Sequence, residues 1–212
     1  MKLSNNLKAL TAAAVLAVPA MAPTTASAEL GYNASVGSMY LWRGQDVSNG
    51  PTISGGIDFS DASGFYASTW VSSGLSGDPT VGGGYEHDIW VGFAGEAGDF
   101  SYDVSYWYID YPQADGDVIN EVALGVGFKD FSLGLVSGDD GYLYTTLGYG
   151  MGPVSFTYGM ATDDADSDYT HIDVSYAASD ELSFTVSLPS DDGAGVAEEP
   201  LIMMSYSLPI GK

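Results

Sequence analysis

Residues 52–59 read Thr52-Ile53-Ser54-Gly55-Gly56-Ile57-Asp58-Phe59, an alternation of apolar side chains with small or polar ones. The stretches 99–110 and 182–188 repeat this pattern. Because successive side chains of a strand point to opposite sides of a sheet, each stretch predicts a strand with one apolar face. The period runs through the whole chain and predicts twelve strands, at about 33–43, 52–60, 64–73, 81–94, 99–110, 117–128, 131–137, 141–151, 153–162, 168–177, 182–188 and 201–208.

The N-terminus is typical of a secretory signal peptide. Lys2 and Lys8 give a positive start, an apolar run follows, and Ala26-Ser27-Ala28 is a small-residue cleavage site. We therefore predict a signal peptide at 1–28 and one β-barrel domain at 29–212. No later apolar run approaches the roughly 18 residues of a membrane helix.

The charge of the exported part is strongly acidic. Its basic side chains are Arg43, Lys129 and Lys212, against 28 Asp and Glu residues in the whole sequence. Such a chain lacks the basic patches that bind nucleic acid, so no nucleic-acid partner is expected. There is no cysteine, which excludes disulfides and thiolate metal sites.

The connections between segments alternate between short turns and longer acidic loops, the arrangement of an outer-membrane barrel with an even strand number. Six phenylalanines flank the short turns, at positions 59, 65, 93, 100, 128 and 131. A second aromatic group is predicted at the long-loop rim: Tyr40, Trp42, Trp107, Tyr108, Tyr111, Tyr142 and Tyr144. Two aromatic bands are typical of two membrane–water interfaces. We predict an all-β, antiparallel, up-and-down transmembrane barrel; the rival is a soluble periplasmic β-barrel or sandwich.

A family resemblance supports this prediction. The stretch from Ser38 to Ser48, then Gly55-Gly56-Ile57-Asp58-Phe59 and Ser63-Gly64-Phe65-Tyr66-Ala67, resembles the opening of the TorF-like porin family of bacterial outer membranes, and Glu86-His87-Asp88 resembles its fourth strand. The resemblance covers about residues 34–94 and implies a single-chain barrel with a pore role. The C-terminus departs from such barrels, which commonly end in an aromatic residue. Here Pro209 cannot donate to a ladder, so the last strand is expected to stop at Leu208.

The polar face of the predicted barrel carries the candidate pore-lining residues. An acidic bore attracts cations, and Arg43 is expected near the outer mouth, paired with one of the acids. The candidates are Arg43, Asp58, Glu86, Asp88, Asp103, Glu121 and Asp173. His87 falls on the apolar face, and a bulge near Tyr85 is one way to turn it elsewhere.

Two further sites are weaker. The acidic loop holding Asp164, Asp166 and Asp168 partly matches a calcium loop, but Tyr169 stands where that loop requires glycine. His171 and Asp173 share a face and could form a catalytic pair, yet no recognisable serine nucleophile accompanies them.

The most favoured function is passive passage of small solutes, cations before anions, across a bacterial outer membrane. We expect no cofactor and no enzymatic activity. The expected partners are outer-membrane lipid and lipopolysaccharide, small solutes or cations, and the barrel-assembly machinery. The alternatives are a closed barrel whose acidic loops bind divalent ions or a partner and, last, an outer-membrane hydrolase.

Overall fold

A computed structural model describes residues 28–48, 50–74, 84–112, 118–164, 168–191 and 199–210. The predicted signal peptide, apart from Ala28, lies outside these residues. The strands are β1 (Glu29–Gly37), β2 (Leu41–Trp42), β3 (Gln45–Asp46), β4 (Thr52–Ser60), β5 (Phe65–Ser73), β6 (Tyr85–Ala97), β7 (Phe100–Asp110), β8 (Ile119–Phe128), β9 (Phe131–Ser137), β10 (Leu143–Met151), β11 (Val154–Thr162), β12 (Tyr169–Ala177), β13 (Leu182–Asp191) and β14 (Leu201–Ser207).

Twelve of the described strands close into an antiparallel barrel. Each pairs with its sequence neighbours, except that β1 pairs with both β4 and β14, and β2 with β3 forms a separate two-stranded piece. The predicted all-β, twelve-stranded barrel is confirmed. Among the described residues, no helix is long and apolar enough to cross a membrane.

The two faces of the wall are sorted as the alternation predicts. In β7, Phe100, Tyr102 and Val104 point outward with exposed fractions of 59%, 55% and 42%. The next residue, Ser105, points inward and is 3% exposed. The other strands continue this apolar outer belt. Near the short turns the belt carries aromatic pairs, with ring centroids 4.6 Å apart for Phe100 and Phe128. Such a surface is stable only against other apolar material, because water cannot solvate it favourably.

The first predicted strand is wrong over its second half. We expected residues 33–43 to run as one wall strand, but β1 ends at Gly37. The chain then turns into the barrel and forms the β2–β3 hairpin, with Leu41 only 1% exposed. The alternation is similar in both arrangements, because a hairpin inside the lumen also needs an apolar face.

The barrel closes along a short junction between its first and last strands. β1 pairs with β4 over its whole length, Glu29–Gly37. With β14 it pairs over Ser35–Gly37 alone, extended by hydrogen bonds from Leu208 N to Ala34 O, 2.8 Å, and from Ser38 N to Met204 O, 2.9 Å. β14 ends at Ser207, one residue before the predicted end.

The interior is not uniformly polar. A buried apolar cluster lines it towards the long loops, formed by Ala123, Val136, Tyr144, Ala161 and Tyr169, with Trp107 and Tyr142 packed against it. The five buried residues lie on five neighbouring strands, β8 to β12, and form one side of the inner wall. The hairpin packs against this side.

Candidate functional site

All six predicted luminal carboxylates lie on inward-facing wall positions. Glu86, Asp88, Glu121 and Asp173 are each at most 4% exposed. Asp58 and Asp103 are half-buried and lie nearer the short turns, each a few positions from an end of its strand. A buried carboxylate needs hydrogen-bond donors or a cation, so the partners of each one describe the site.

The inner hairpin, residues 38–48, occupies the bore towards the long loops. Val47 N donates to Tyr40 O at 2.9 Å, and Tyr40 N donates to Ser48 Oγ at 2.8 Å, which closes its base. Its tip is Arg43-Gly44, with φ values of +49° and +83°. Two successive positive φ values make a tight turn that an arginine adopts only at a cost in backbone energy.

Arg43 reaches across the bore to Glu121 on β8. Its Nη1 and Nη2 donate to the two carboxylate oxygens at 2.7 Å and 2.6 Å. The guanidinium carbon also lies 4.5 Å from the ring centroid of Trp42, 5.2 Å from that of Tyr142 and 4.9 Å from that of Tyr144. Burial acts to lower the pKa of Arg43, but the hydrogen bonds and charge of Glu121 raise it above its usual value, so the guanidinium stays charged.

Gly44 lies directly against His171. A Cβ built on Gly44 would stand 2.6 Å from His171 Cβ, and one built on Gly159 would stand 2.6 Å from His171 Cδ2, so two glycines hold the imidazole between them. The ring is also fixed by Asp173 Oδ1, 2.9 Å from Nδ1, and by the Tyr144 hydroxyl, 2.8 Å from Nε2. His171 is therefore a rigid seat for the hairpin tip.

The base of the hairpin is held by a second carboxylate. The Tyr40 hydroxyl donates to Glu86 Oε1 at 2.7 Å, and its ring packs edge-on against Trp70 at 5.6 Å. Burial, and then the charge of Glu86, raise the pKa of Tyr40, which keeps the hydroxyl protonated and donating. Asp88 lies two positions along the same inner face; none of the described residues donates a hydrogen bond to its buried Oδ1.

Towards the short turns the carboxylates have neutral partners. Asp58 accepts hydrogen bonds from Asn33 Nδ2 and Ser68 Oγ, both at 2.8 Å. Asp103 accepts one from the Tyr66 hydroxyl at 2.7 Å. Neither acid has a cationic partner among the described residues, and both are more accessible than the acids around the hairpin.

The aromatic residues predicted at the long-loop rim lie towards the long loops, but most of them face the lumen and not a membrane interface. Tyr108 does face outward, 37% exposed. Tyr40 and Tyr144 are buried inside, while Trp42 and Tyr142 contact Arg43. Of the other two, Trp107 donates to the inward Ser105 and Tyr111 lies beside Glu86. These rings serve the hairpin and its charges because a guanidinium in a narrow lumen is stabilised by π faces.

His87 stays on the outer face. The pairing of β5 with β6 is regular from Phe65–Phe93 to Ser73–Tyr85, so the suggested bulge near Tyr85 is absent there. The imidazole Nε2 lies 2.9 Å from Thr69 Oγ1 on the neighbouring strand. This cross-strand hydrogen bond satisfies one ring nitrogen among apolar neighbours.

The suggested calcium loop gains no support from the described residues. Asp166 lies outside them, while Asp168 Oδ1 accepts a hydrogen bond from Asp163 N at 3.3 Å and Asp164 lies beside Gly141. No group of three or more His, Cys, Asp or Glu side chains in the described ranges could hold a metal ion.

Sequence reasoning alone missed the inner hairpin. One signal could have indicated it: Arg43-Gly44, the single arginine with a glycine, stands between two aromatic residues and the polar pair Gln45-Asp46. That order suits a turn whose tip carries a charge. The alternation of residues 40–42 concealed it.

The comparisons with known proteins agree with a barrel of this type. A model of the family described as "Bacterial protein of unknown function (Gcw_chp)" matches residues 21–193. No curated protein matches the sequence. A solved KdgM porin superposes with a TM-score of 0.52 at 11% identity, covering 84% of this chain and 96% of the porin. A KdgM porin in complex with disordered oligogalacturonate gives 0.50 at 12%, with the same coverage. At these identities the likeness shows a shared fold.

Proposed function

The chain belongs to the Gcw_chp family of bacterial proteins, and we propose that it is an outer-membrane pore through which small solutes diffuse passively. The observation that carries the proposal is the closed barrel, apolar outside and lined with polar and charged side chains inside. An isolated barrel with that surface is stable in a bilayer, where every backbone group of the wall is satisfied by its neighbours.

Cations are the favoured solutes in this proposal. Six inward carboxyl groups face the bore, and Arg43 is the one inward arginine or lysine side chain among the described residues. Fixed charge of one sign in a narrow, low-dielectric channel concentrates counter-ions and excludes co-ions. Asp58 and Asp103, which have no cationic partner, would supply most of this field.

The proposal includes the cellular setting. The predicted signal peptide at 1–28 would direct export, the barrel-assembly machinery would insert the chain, and lipid with lipopolysaccharide would cover the apolar belt. The resemblance of residues 34–94 to TorF-like porins points to the same class of protein, and kinship with that family is part of the proposal.

Planar-bilayer recording of the purified protein tests the pore. We expect channel events, and a reversal potential in a potassium chloride gradient that favours potassium. An Asp58→Asn, Asp103→Asn double variant should lower the potassium-to-chloride permeability ratio. Absence of channel events in the wild type at all voltages would refute the pore, and chloride selectivity would refute the role of the acids.

A second candidate is favoured by one observation, the hairpin that fills part of the bore. A barrel permanently closed in this way would act as a structural or interaction protein, with the acidic loops as its contact surface. Comparison of the wild type with Gly44→Ala, in which a Cβ would collide with His171 and displace the hairpin, separates the two candidates. A barrel permanently closed by the hairpin would conduct only as Gly44→Ala, whereas a pore would conduct in both forms.

We do not propose an enzyme. His171 is 1% exposed, and its Nε2 is engaged by the Tyr144 hydroxyl rather than by a serine. Gly44 and Gly159 occupy both sides of the ring, so a substrate has no approach to it. The His171–Asp173 pair positions the hairpin.

A further inference from the structure

We infer that Glu121, Tyr142 and Tyr144 form a binding site for a guanidinium group, that Arg43 fills it from within the chain, and that guanidinium-bearing solutes compete with Arg43 for it. This inference rests on the proposed function, since it names the chemical class of solute that such a pore would take. We call these three residues the guanidinium site.

The geometry of the site suits a planar fork. Both oxygens of Glu121 accept, at 2.7 Å and 2.6 Å, from the two terminal nitrogens of one guanidinium. An ammonium group is a point donor and cannot make this parallel pair of hydrogen bonds. The Tyr142 and Tyr144 rings, whose centroids lie 5.2 Å and 4.9 Å from the guanidinium carbon, add a π surface that a weakly hydrated planar cation uses well.

Contacts with barrel residues outside the hairpin hold the two rings of this site. Tyr144 lies on β10, its ring is parallel to that of His171 within 4°, and its hydroxyl contacts His171 Nε2. Tyr142 follows a turn closed by hydrogen bonds from Gly138 N to Tyr142 O and from Tyr142 N to Asp139 O, 2.9 Å and 3.0 Å. A site formed in advance loses little entropy when it captures a solute.

The occupant, by contrast, belongs to an element outside the wall. The β2–β3 hairpin is not part of the barrel sheet. Its tip is held by Arg43 and its base by Tyr40 to Glu86. Arg43 also sits at φ +49°, a conformation that costs about 1–2 kcal/mol for an L-residue. A free guanidinium can make the same contacts without that backbone cost.

The charge around the site favours a cationic competitor. Glu86 and Asp88 lie on the same inner face of β6, buried, and Asp88 Oδ1 has no donor among the described residues. Neither carboxyl group forms an ion pair with Arg43 or with another cation among the described residues. A cationic solute entering the bore is attracted to this region, whereas an anionic one is repelled.

Binding measurements on the folded protein in detergent test the site with two probes of equal charge, ethylguanidinium and propylammonium. Titration calorimetry reports occupancy. The Arg43→Ala variant should bind ethylguanidinium at least about tenfold more tightly than propylammonium, because only the former has the fork. Adding Glu121→Gln should abolish that preference. Equal affinity for the two probes, or a preference that survives Glu121→Gln, would overturn the site.

The wild type tests the competition. A tethered Arg43 acts at an effective concentration of the order of millimolar, so ethylguanidinium should bind the wild type about tenfold or more weakly than it binds Arg43→Ala. Saturation should also speed the hydrogen exchange of the residue 40–48 amides. Binding to Arg43→Ala but none to the wild type at roughly a hundredfold higher concentration would refute the competing solute. If Arg43→Ala does not fold, judged by heat-modifiable gel migration, Gly44→Ala replaces it, since it displaces the hairpin with Arg43 intact.

The two proposals fail separately. Binding in detergent requires no conductance, so a protein that binds ethylguanidinium but never conducts would remove the pore and leave the guanidinium site. A protein that conducts cations but binds the two probes equally would do the reverse.

Discussion

The glycine at the tip of the inner hairpin gives a sharp test of how the bore is closed. An alanine Cβ at position 44 would stand 2.6 Å from His171 Cβ and 2.8 Å from Cδ2. Carbon atoms prefer about 3.5–4.0 Å, so the tip must withdraw by about 1 Å. His171 cannot yield, because Asp173, Tyr144 and Gly159 hold it from the other sides.

The magnitude follows from the contact that this withdrawal breaks. At about 1 Å greater separation, the 2.7 Å and 2.6 Å hydrogen bonds from Arg43 to Glu121 exceed hydrogen-bonding distance. Hydrogen bonds to charged groups contribute about 1.5–3 kcal/mol each, so the pair is worth at least about 3 kcal/mol. We therefore expect Gly44→Ala to shift the balance from docked to undocked hairpin by roughly a hundredfold, since 1.4 kcal/mol is a factor of ten.

Gly98→Ala is the matched control. Gly98 has φ +67°, near the +83° of Gly44, but a Cβ there meets nothing within 4 Å. Both variants carry the same class of backbone strain, and only Gly44→Ala has the collision. We would compare hydrogen exchange of the residue 40–48 amides, which needs no conductance, and open probability in planar bilayers. Exchange and opening equal in the two variants would refute the docking of Gly44 against His171.

Three other changes test separate contacts. Tyr40→Phe removes the donor to Glu86 and should raise the open probability about tenfold or more, since a hydrogen bond to a charged group is worth about 1.5–3 kcal/mol. An unchanged open probability would mean that the hydrogen bond from Tyr40 to Glu86 does not hold the hairpin in place. Asp88→Asn replaces a buried carboxyl group, whose Oδ1 accepts no hydrogen bond from the described residues, with an amide that cannot ionise. It should raise the free energy of unfolding by about 1–3 kcal/mol, measured by urea titration of the folded gel band; a loss of stability would contradict this. In the turn between β4 and β5, the hydroxyl and amide of Ser63 hold the pKa of Asp61 below its ordinary value of 3.8. The ionised Asp61 therefore stabilises this turn above pH 3.8, and the stabilisation is lost as the pH falls through the lowered pKa. Carboxyl NMR should place the midpoint below 3.8, and Ser63→Ala should raise it; a midpoint at or above 3.8 in the parent protein would count against the turn.

The wall of the barrel could be predicted from the sequence because a strand's two faces meet different surroundings. In β7 each outward apolar residue is followed by an inward serine or aspartate as far as Ser105, and a strand, with its period of two, is the only regular structure that sorts them in this way. Phe100 and Phe128, next to short turns, lie on the outer belt as expected. Local periodicity was sufficient there.

The inner hairpin could not be predicted because alternation does not say what the apolar face touches. Tyr40, Leu41 and Trp42 have the composition of a wall strand, yet they face other lumen groups. Trp107 and Tyr144 were misplaced for the same reason: aromatic rings suit a membrane interface and a cation inside a pore equally well. Deciding between the two requires knowing that Arg43 and Glu121, 78 positions apart, meet across the bore.

The short junction between β1 and β14 couples the position of the inner hairpin to the closure of the barrel. Ser38, the first residue of the inner hairpin, also makes the last hydrogen bonds of that junction. Its amide donates to Met204 O and its hydroxyl accepts from Met204 N, both at 2.9 Å. We expect the barrel to open first between β1 and β14, because fewer backbone hydrogen bonds join these two strands than join β1 to β4. Any force that begins to separate β1 from β14 therefore also loosens the start of the inner hairpin.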